Sequence, residues 1–362
     1  MNKRIKCLDV VKAIGILAII FAHLSIDERL RKIFYVFHVP LFFIVSGFFI
    51  KEDESFKEFF KKKCKSYLIP YICCSIILSA FIFLKSKFNI DVLKDTVIDF
   101  VLQIRFTTLW FLMTLFLSSI IFKILLIVSN KYKSDNKEKV IKLNDKTKVK
   151  VNGSDALLVI ITLVLSISFI IYDKVVKHGM LFNFDTACIS TIFLLTGYLL
   201  KKSAFIDKIE SMDRFTKITR SIQISLLGFC IAYINYKLCH ESLEMFECES
   251  GIFPLTIIAA IIVSIGLIIL SSLLENSKVL NYLGKNTMAF FAFHQTIGIS
   301  GMNFILNRIP LFENTNYFIH VLNKSICFIG AIITCFIMHI IIIKCKCGFV
   351  IGKNTNKKIE SR

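Results

Sequence analysis

Proline is scarce, with four in 362 residues. That agrees with long helices that run without interruption. It also sets the chain apart from inverted-repeat transporters, whose paired segments are broken by Gly and Pro. No internal repeat occurs, direct or inverted. No glycine-rich phosphate loop, zinc-helix motif or Gly-x-Ser-x-Gly elbow is present, so nucleotide-loop, zinc-peptidase and α/β-hydrolase chemistries lose their usual signatures. Acidic residues are few, 26 against 45 Lys and Arg, and the formal net charge is +19. In a soluble protein that excess would suggest nucleic acid as a partner. Here its placement supplies another reason, and nucleic acid is not expected.

Apolar sequence is abundant, with 55% hydrophobic residues and a mean hydropathy of +0.69. It falls in blocks of the length a helix needs to cross a bilayer, roughly 20 residues. Only closed backbone hydrogen bonding is stable there, so the expected fold class is all-α, a polytopic membrane protein in one domain over 1–362. The expected spans are 10–24, 34–50, 67–84, 109–128, 154–172, 187–200, 222–238, 254–274, 287–306 and 319–343. The basic residues test that count. With the N-terminus inside, 31 of the 45 Lys and Arg fall in inner segments and 12 in outer loops or at the outer ends of spans. This is the positive-inside asymmetry, and it predicts N-in, C-in topology in the cell membrane, in contact with its lipids.

Lys3, Arg4 and Lys6 precede the first apolar run, as in a signal peptide. Asp9 and Lys12 interrupt that run and no small-x-small cleavage site follows, so it is taken as the first span. The Lys-rich stretch 129–153 has no apolar period and is expected to be a solvated inner linker between two groups of helices. Along 89–104, Leu93, Val97, Phe100, Val101 and Ile104 share a helical face opposite Asp91, Asp95 and Asp99. This predicts a short amphipathic helix at the outer surface. Pro70 suits the first turn of the third span, and Asn286 or Thr287 is placed to cap the ninth. Cys345 and Cys347 lack a second pair with zinc-site spacing, and no metal is expected. Cys239 and Cys248 share one outer loop and are close enough in sequence to form a disulfide.

Ionisable residues inside spans are the first candidates for function. Lys12 and His23 are eleven residues apart, which is three turns plus about 20° and some 16 Å along the axis. They share a face, with the cation at the inner end and the imidazole at the outer end. Asp9, one turn before Lys12, can pair with it. A snorkelling interfacial ion pair and a water-boundary His would give the same pattern. His38 opens the second span, and a short loop brings it to the end where His23 lies. Two imidazoles there can act as base and orienter for an acceptor hydroxyl. Ser46 and Gly47 follow, and Gly47 permits close helix approach. Lys62 and Lys65 can hold a phosphate or simply mark the inner side. Trp110, the single Trp, opens the fourth span, where it is either an interfacial anchor or part of a site. His294 lies inside the ninth span and needs a partner there. His178, His240, His320 and His339 look incidental.

Four blocks together resemble the membrane-bound acyltransferase-3 family, in particular its fucose 4-O-acetylase-like branch. They are Leu8-Asp9-Val10-Val11-Lys12-Ala13-Ile14-Gly15 leading to His23, Phe37-His38-Val39-Pro40 continuing to Phe48, Lys61 to Lys65 with Pro70-Tyr71, and Leu109-Trp110-Phe111-Leu112. A weaker fifth is Tyr282 to Thr287 with His294 downstream. The resemblance implies an enzyme, an O-acyltransferase. It would move an acyl group, usually acetyl, from cytoplasmic acyl-CoA to a hydroxyl of a glycan or lipid-linked sugar outside. Lys12 and His23 match the family's basic residue, ten-residue gap and His, with Lys where many members have Arg. Lys62 and Lys65 stand where many have an Arg-x-x-Arg pair, and Lys lacks the bidentate fork. On this basis His23, His38 and Asp9 are the expected catalytic residues. Lys12, Lys62 and Lys65 would bind the coenzyme phosphates, and Trp110, His294 and Ser46 the acceptor. The rival expectation is a polysaccharide exporter of the same fold.

Overall fold

The computed structural model describes residues 4–24, 27–102, 107–132, 139–144, 147–151, 153–246, 251–309 and 317–353, with the stretch 139–151 as backbone. Helices dominate. The first group is α1 (Lys6–Ala22), α2 (Glu28–Tyr35), α3 (Pro40–Gly47), α4 (Phe56–Lys63), α5 (Ile69–Lys85), α6 (Ile90–Leu102) and α7 (Trp110–Lys131). A hairpin of β1 (Lys139–Asn144) and β2 (Thr147–Val151) follows, antiparallel with Lys139 opposite Val151. The second group is α8 (Gly153–Val176), α9 (Phe184–Lys202), α10 (Phe205–Glu210), α11 (Arg214–Cys239), α12 (Phe253–Leu273), α13 (Lys278–Lys285), α14 (Thr287–Phe293), α15 (Ser300–Leu306) and α16 (Tyr317–Lys344).

Among the described residues, eight helical segments are long and apolar enough to cross a membrane. They coincide with eight of the ten spans expected from sequence. The other two are α1, which has 17 residues, and the run 287–306. That run is broken into α14, a π-helical turn His294–Ile299 and α15. The third span is longer than expected because α4 and α5 join through a second π-helical turn, Cys64–Leu68. Pro70 therefore lies inside a continuous helix. It has no N–H for the Ser66 carbonyl, and the wide turn just before it absorbs that lost bond.

Burial distinguishes inner from outer helices. Twelve residues of α1 are buried, around its whole circumference. It packs against α12 and α13 and touches α3 and α14, so it is a central helix. In α11 only Ser221, Gly228 and Asn235 are buried. Their seven-residue spacing marks one narrow contact face, directed at α12. A Cβ on Gly228 would lie 2.6 Å from Val263 Cγ2, and one on Gly266 would collide with Ser225 Oγ. Small residues thus set the approach of this pair, as expected without a hydrophobic drive between helices in lipid. Gly228→Ala should push the two helices apart and cost about 1–2 kcal/mol. A lower thermal midpoint of the detergent-purified variant would register it.

Gly47 does what its position suggested. A Cβ there would collide with the Leu194 carbonyl, and one on Gly197 with the Ile44 carbonyl, so α3 and α9 cross with their backbones in contact. The chain leaving α3 is fixed by three lysines, one of them buried. Lys123 is fully buried and donates to the carbonyls of Lys51 (2.7 Å) and Glu52 (3.1 Å). Lys201 donates to Ile50 O at 2.9 Å. Lys202 bridges Asp155 at 2.6 Å and Glu52 at 3.3 Å, and the Tyr198 hydroxyl donates to Glu52.

Several local expectations change. The stretch 129–153 holds the hairpin rather than a linker without regular structure. Helix α6 exists, but it packs through Thr96, Val92, Leu93 and Phe100, whereas Val97 and Val101 are exposed; Ile104 lies outside the described residues. Its anchor is the Tyr71 hydroxyl, which donates to Phe100 O at 2.7 Å. Asn286 precedes α14 without a side-chain cap; its Oδ1, the atom that would cap, accepts from the Lys353 ammonium. Cys239 is a free thiol near Asn235 O at 3.2 Å; Cys248, its suggested partner, lies outside the described residues.

Candidate active site

Three elements bring three imidazoles to one end of α1. His23 caps the C-terminus of α1, where its N–H still bonds Ile19 O at 3.1 Å. His38 sits in the turn between α2 and α3, just before Pro40 takes the first position of α3. His294 opens the π-helical turn, and π turns often mark places where a helix re-aims a side chain for function. The rings of His23 and His294 lie 5.2 Å apart.

Backbone carbonyls fix two of these imidazoles. His38 Nδ1 is 2.8 Å from Phe34 O. His294 Nδ1 is 2.9 Å from Phe291 O and 3.1 Å from Phe290 O. A carbonyl oxygen can only accept, so Nδ1 carries the proton in both rings, and in the neutral imidazole Nε2 keeps its lone pair. His294 is fully buried, and its Nε2 has no hydrogen-bond partner among the described residues. A buried polar atom left unpaired is costly and calls for an occupant or a function.

A cavity of about 160 Å³ opens beside these rings, lined by His23, His38, Tyr35, Thr108, Trp110 and Gln295. Thr108 Oγ1 is buried without a partner among the described residues. The loop before α12 closes the cavity with Leu243, Glu244, Met245 and Phe246. Phe246 packs at a tilt against Trp110 with ring centres 5.7 Å apart. The site is thus a small, largely apolar pocket with an aromatic wall, into which two imidazoles and the Tyr35 and Thr108 hydroxyls are brought. Among the described residues no group of His, Cys, Asp and Glu is arranged to hold a metal.

The structure brings His23, His38, His294 and Trp110 together, and leaves Asp9 and Ser46 elsewhere. Asp9 is fourteen residues down α1 from His23, about 21 Å at 1.5 Å per residue. Its carboxylate is buried and bonds Arg4 Nε at 2.5 Å and Lys12 Nζ at 2.9 Å. Its place is beside the cation, and it touches none of the imidazoles. Ser46, near the far end of α3, does not line the cavity.

At that opposite end a second cluster forms. Helix α13 lies against α1 at Gly284, where a Cβ would collide with the Asp9 carbonyl. Just beyond, the Lys353 ammonium donates to Asn286 Oδ1 and lies 3.1 Å from His339 Nε2. His339 Nδ1 is 2.9 Å from the Tyr282 hydroxyl, so this imidazole is a buried, bonded part of the fold and not incidental. Burial, and then the charge of Arg4, hold the Lys353 ammonium below the usual lysine range. Next to Lys353, a Cβ on Gly352 would lie 3.1 Å from Ser66 O. The segment 348–353 therefore connects the Lys62–Lys65 turn with the Arg4–Asp9–Lys12 group. Lys62 is exposed and 3.5 Å from Glu54, and Lys65 is exposed. Their neighbour Lys63 is buried, with its ammonium 4.9 Å from the Tyr67 ring centre and 5.2 Å from that of Phe59.

Sequence reasoning missed Tyr35, Thr108, Gln295, the 243–246 loop and Lys353. Gln295 adjoins His294, and Tyr35 stands one helical turn before Val39, so proximity in sequence could have flagged both. Nothing in the local sequence marks the 243–246 loop.

A family model described as an acyltransferase domain matches residues 5–342. No curated protein and no solved structure matches the chain.

Proposed function

The chain belongs to the acyltransferase-3 family of membrane acyltransferases, and from that premise we propose that it carries an acyl group, acetyl first, from cytoplasmic acyl-CoA to a glycan hydroxyl outside. The fucose 4-O-acetylase-like branch, N-in and C-in topology and a place in the cell membrane are part of the same reading. One observation carries it: α1 has a cation cluster at one end, and at the other a pocket lined by His23 and His38 with His294 packed against His23. A long coenzyme arm, with its phosphates near Lys12, Lys62 and Lys65, would place its thioester in the histidine pocket.

In that pocket the acceptor oxygen attacks the thioester carbon. The His23 imidazole takes the hydroxyl proton as the new C–O bond forms. The C–S bond then breaks, and the proton passes from His23 to the departing thiolate. His38 accepts a hydrogen bond through Nε2 and orients the acceptor. His294, whose ring lies 5.2 Å from that of His23, stabilises the imidazolium that forms there. Thr108 Oγ1 is placed to donate to the developing oxyanion. Trp110 forms the wall against which a sugar ring can lie. Asp9 holds Lys12 for the coenzyme and takes no part in proton transfer.

Purified protein in detergent, given radiolabelled acetyl-CoA and a surface-glycan acceptor, should label the glycan. A polysaccharide exporter would instead need sealed vesicles and would transfer no label, and that outcome would overturn the reading. In cells, mass spectrometry of envelope glycans should show one acyl mass lost when the protein is removed.

A further inference from the structure

A second and larger cavity, about 790 Å³, lies between α2 and α11 and reaches α12. It is of the size that takes small ligands. Leu243 lines both this groove and the histidine pocket, so one side chain separates the two spaces. Its floor is apolar, with Val36, Phe229, Ala232 and Ala259. Its mouth carries Ile33 and Tyr233, both exposed, and the outward face of α11 continues with exposed Ile234 and Leu238. In a membrane helix such a face looks at lipid, so the groove opens sideways into the bilayer.

Its rim is charged. Asp27 is spent on capping α2, accepting from Arg29 N at 2.7 Å and Leu30 N at 3.3 Å. Glu28 is spent on Lys32 at 2.8 Å. Arg29 and Lys237 also line the groove, and neither side chain has a carboxylate partner among the described residues. The Lys237 ammonium lies 5.6 Å from the Tyr233 ring centre. Two uncommitted cations above an apolar floor match a phosphate on an apolar chain.

We propose that this groove seats the lipid phosphate on which the acceptor sugar is carried. The chain lies against Phe229, Ala232 and Val36, the phosphate meets Arg29 and Lys237, and the sugar reaches past Leu243 to His23. The assignment rests on the acyltransferase reading for the word acceptor, but the binding it requires can be measured without any acyl transfer.

The probe is farnesyl phosphate, added to the full-length protein in detergent and followed by native mass spectrometry. Farnesol and inorganic phosphate are the controls. Farnesyl phosphate should bind at least about tenfold more tightly than farnesol, the contribution of a charge-assisted contact, and inorganic phosphate should not bind measurably. The double variant Arg29→Ala, Lys237→Ala changes only the exposed rim and should reduce the affinity about tenfold or more. Ala232→Trp should fill the floor and abolish binding, with size-exclusion behaviour as the check that it folds. His23→Ala should bind the probe like the unaltered protein. Equal binding of farnesol and farnesyl phosphate, or undiminished binding by the rim variant, would overturn the proposal. If the groove binds as expected in a protein that transfers no acyl group, the groove assignment stands and the acyltransferase mechanism falls. If transfer proceeds to a soluble glycan and no probe binds, the reverse holds.

Discussion

His23→Ala should reduce acyl transfer about 10²- to 10⁴-fold, the usual contribution of a positioned general base, while the protein still inserts and purifies as before. The second half of that expectation comes from the fold. His23 stands at the end of α1, after the buried residues that pack this helix against its neighbours, and its side chain faces the small cavity. Removing it enlarges the small cavity and leaves the helix contacts intact. The KM for acyl-CoA should change little, because the proposal puts the coenzyme phosphates at the other end of α1. A fall in kcat with a steady KM is the pattern of a contact made in the transition state. His294→Ala should also lower kcat, but it empties a fully buried site beside Phe290 and Phe291 and should lower the thermal midpoint as well. Initial-rate kinetics together with melting curves separate these cases. Full transfer by His23→Ala would remove the imidazole from the mechanism.

The parts of the fold that were legible are those written locally. Span length is a property of contiguous sequence, and eight segments fall where it indicates. Gly47 was legible because a glycine between bulky apolar residues in a span has few uses besides close approach. The pairing of His23 with His38 followed from helix geometry and a short loop. The remainder depends on contacts distant in sequence. His339 looks like one imidazole in an apolar run until Tyr282 and Lys353 reach it, 57 and 14 residues away. Leu243 to Phe246 carry no motif and matter because their loop folds over Trp110. The face of α6 was misjudged because a helical wheel ranks hydrophobicity, while the packed face is set by where Tyr71 anchors Phe100. The resemblance groups Asp9 with the catalytic residues, while its pairing with Lys12 follows from helix spacing; the structure has that pair, adds Arg4, and leaves Asp9 away from the imidazoles. The large groove had no sequence signal at all, since its polar rim comes from α2 and α11, some two hundred residues apart.

Lys12→Gln should raise the KM for acyl-CoA about 10- to 100-fold, the loss expected when one charged hydrogen bond to a phosphate is removed. The fold should tolerate it. Asp9 keeps its bond to Arg4, so the buried carboxylate is not stranded, and Gln retains donors of its own. Lys12→Arg should keep or improve the KM, since the guanidinium fork suits a phosphate. Lys62→Gln and Lys65→Gln should each do less. Both side chains are exposed to water and salt, where a single charge contributes little. The ordering, not any one value, is diagnostic. If Lys62 or Lys65 proves stronger than Lys12, the coenzyme phosphates lie under the π turn before Pro70, away from α1. If Lys12→Gln lowers kcat and leaves KM alone, Lys12 acts on the chemistry and the separation of roles along α1 fails. With the ordering as expected, one helix divides the work: its charged end holds the donor, and its histidine end, about 16 Å away, activates the acceptor.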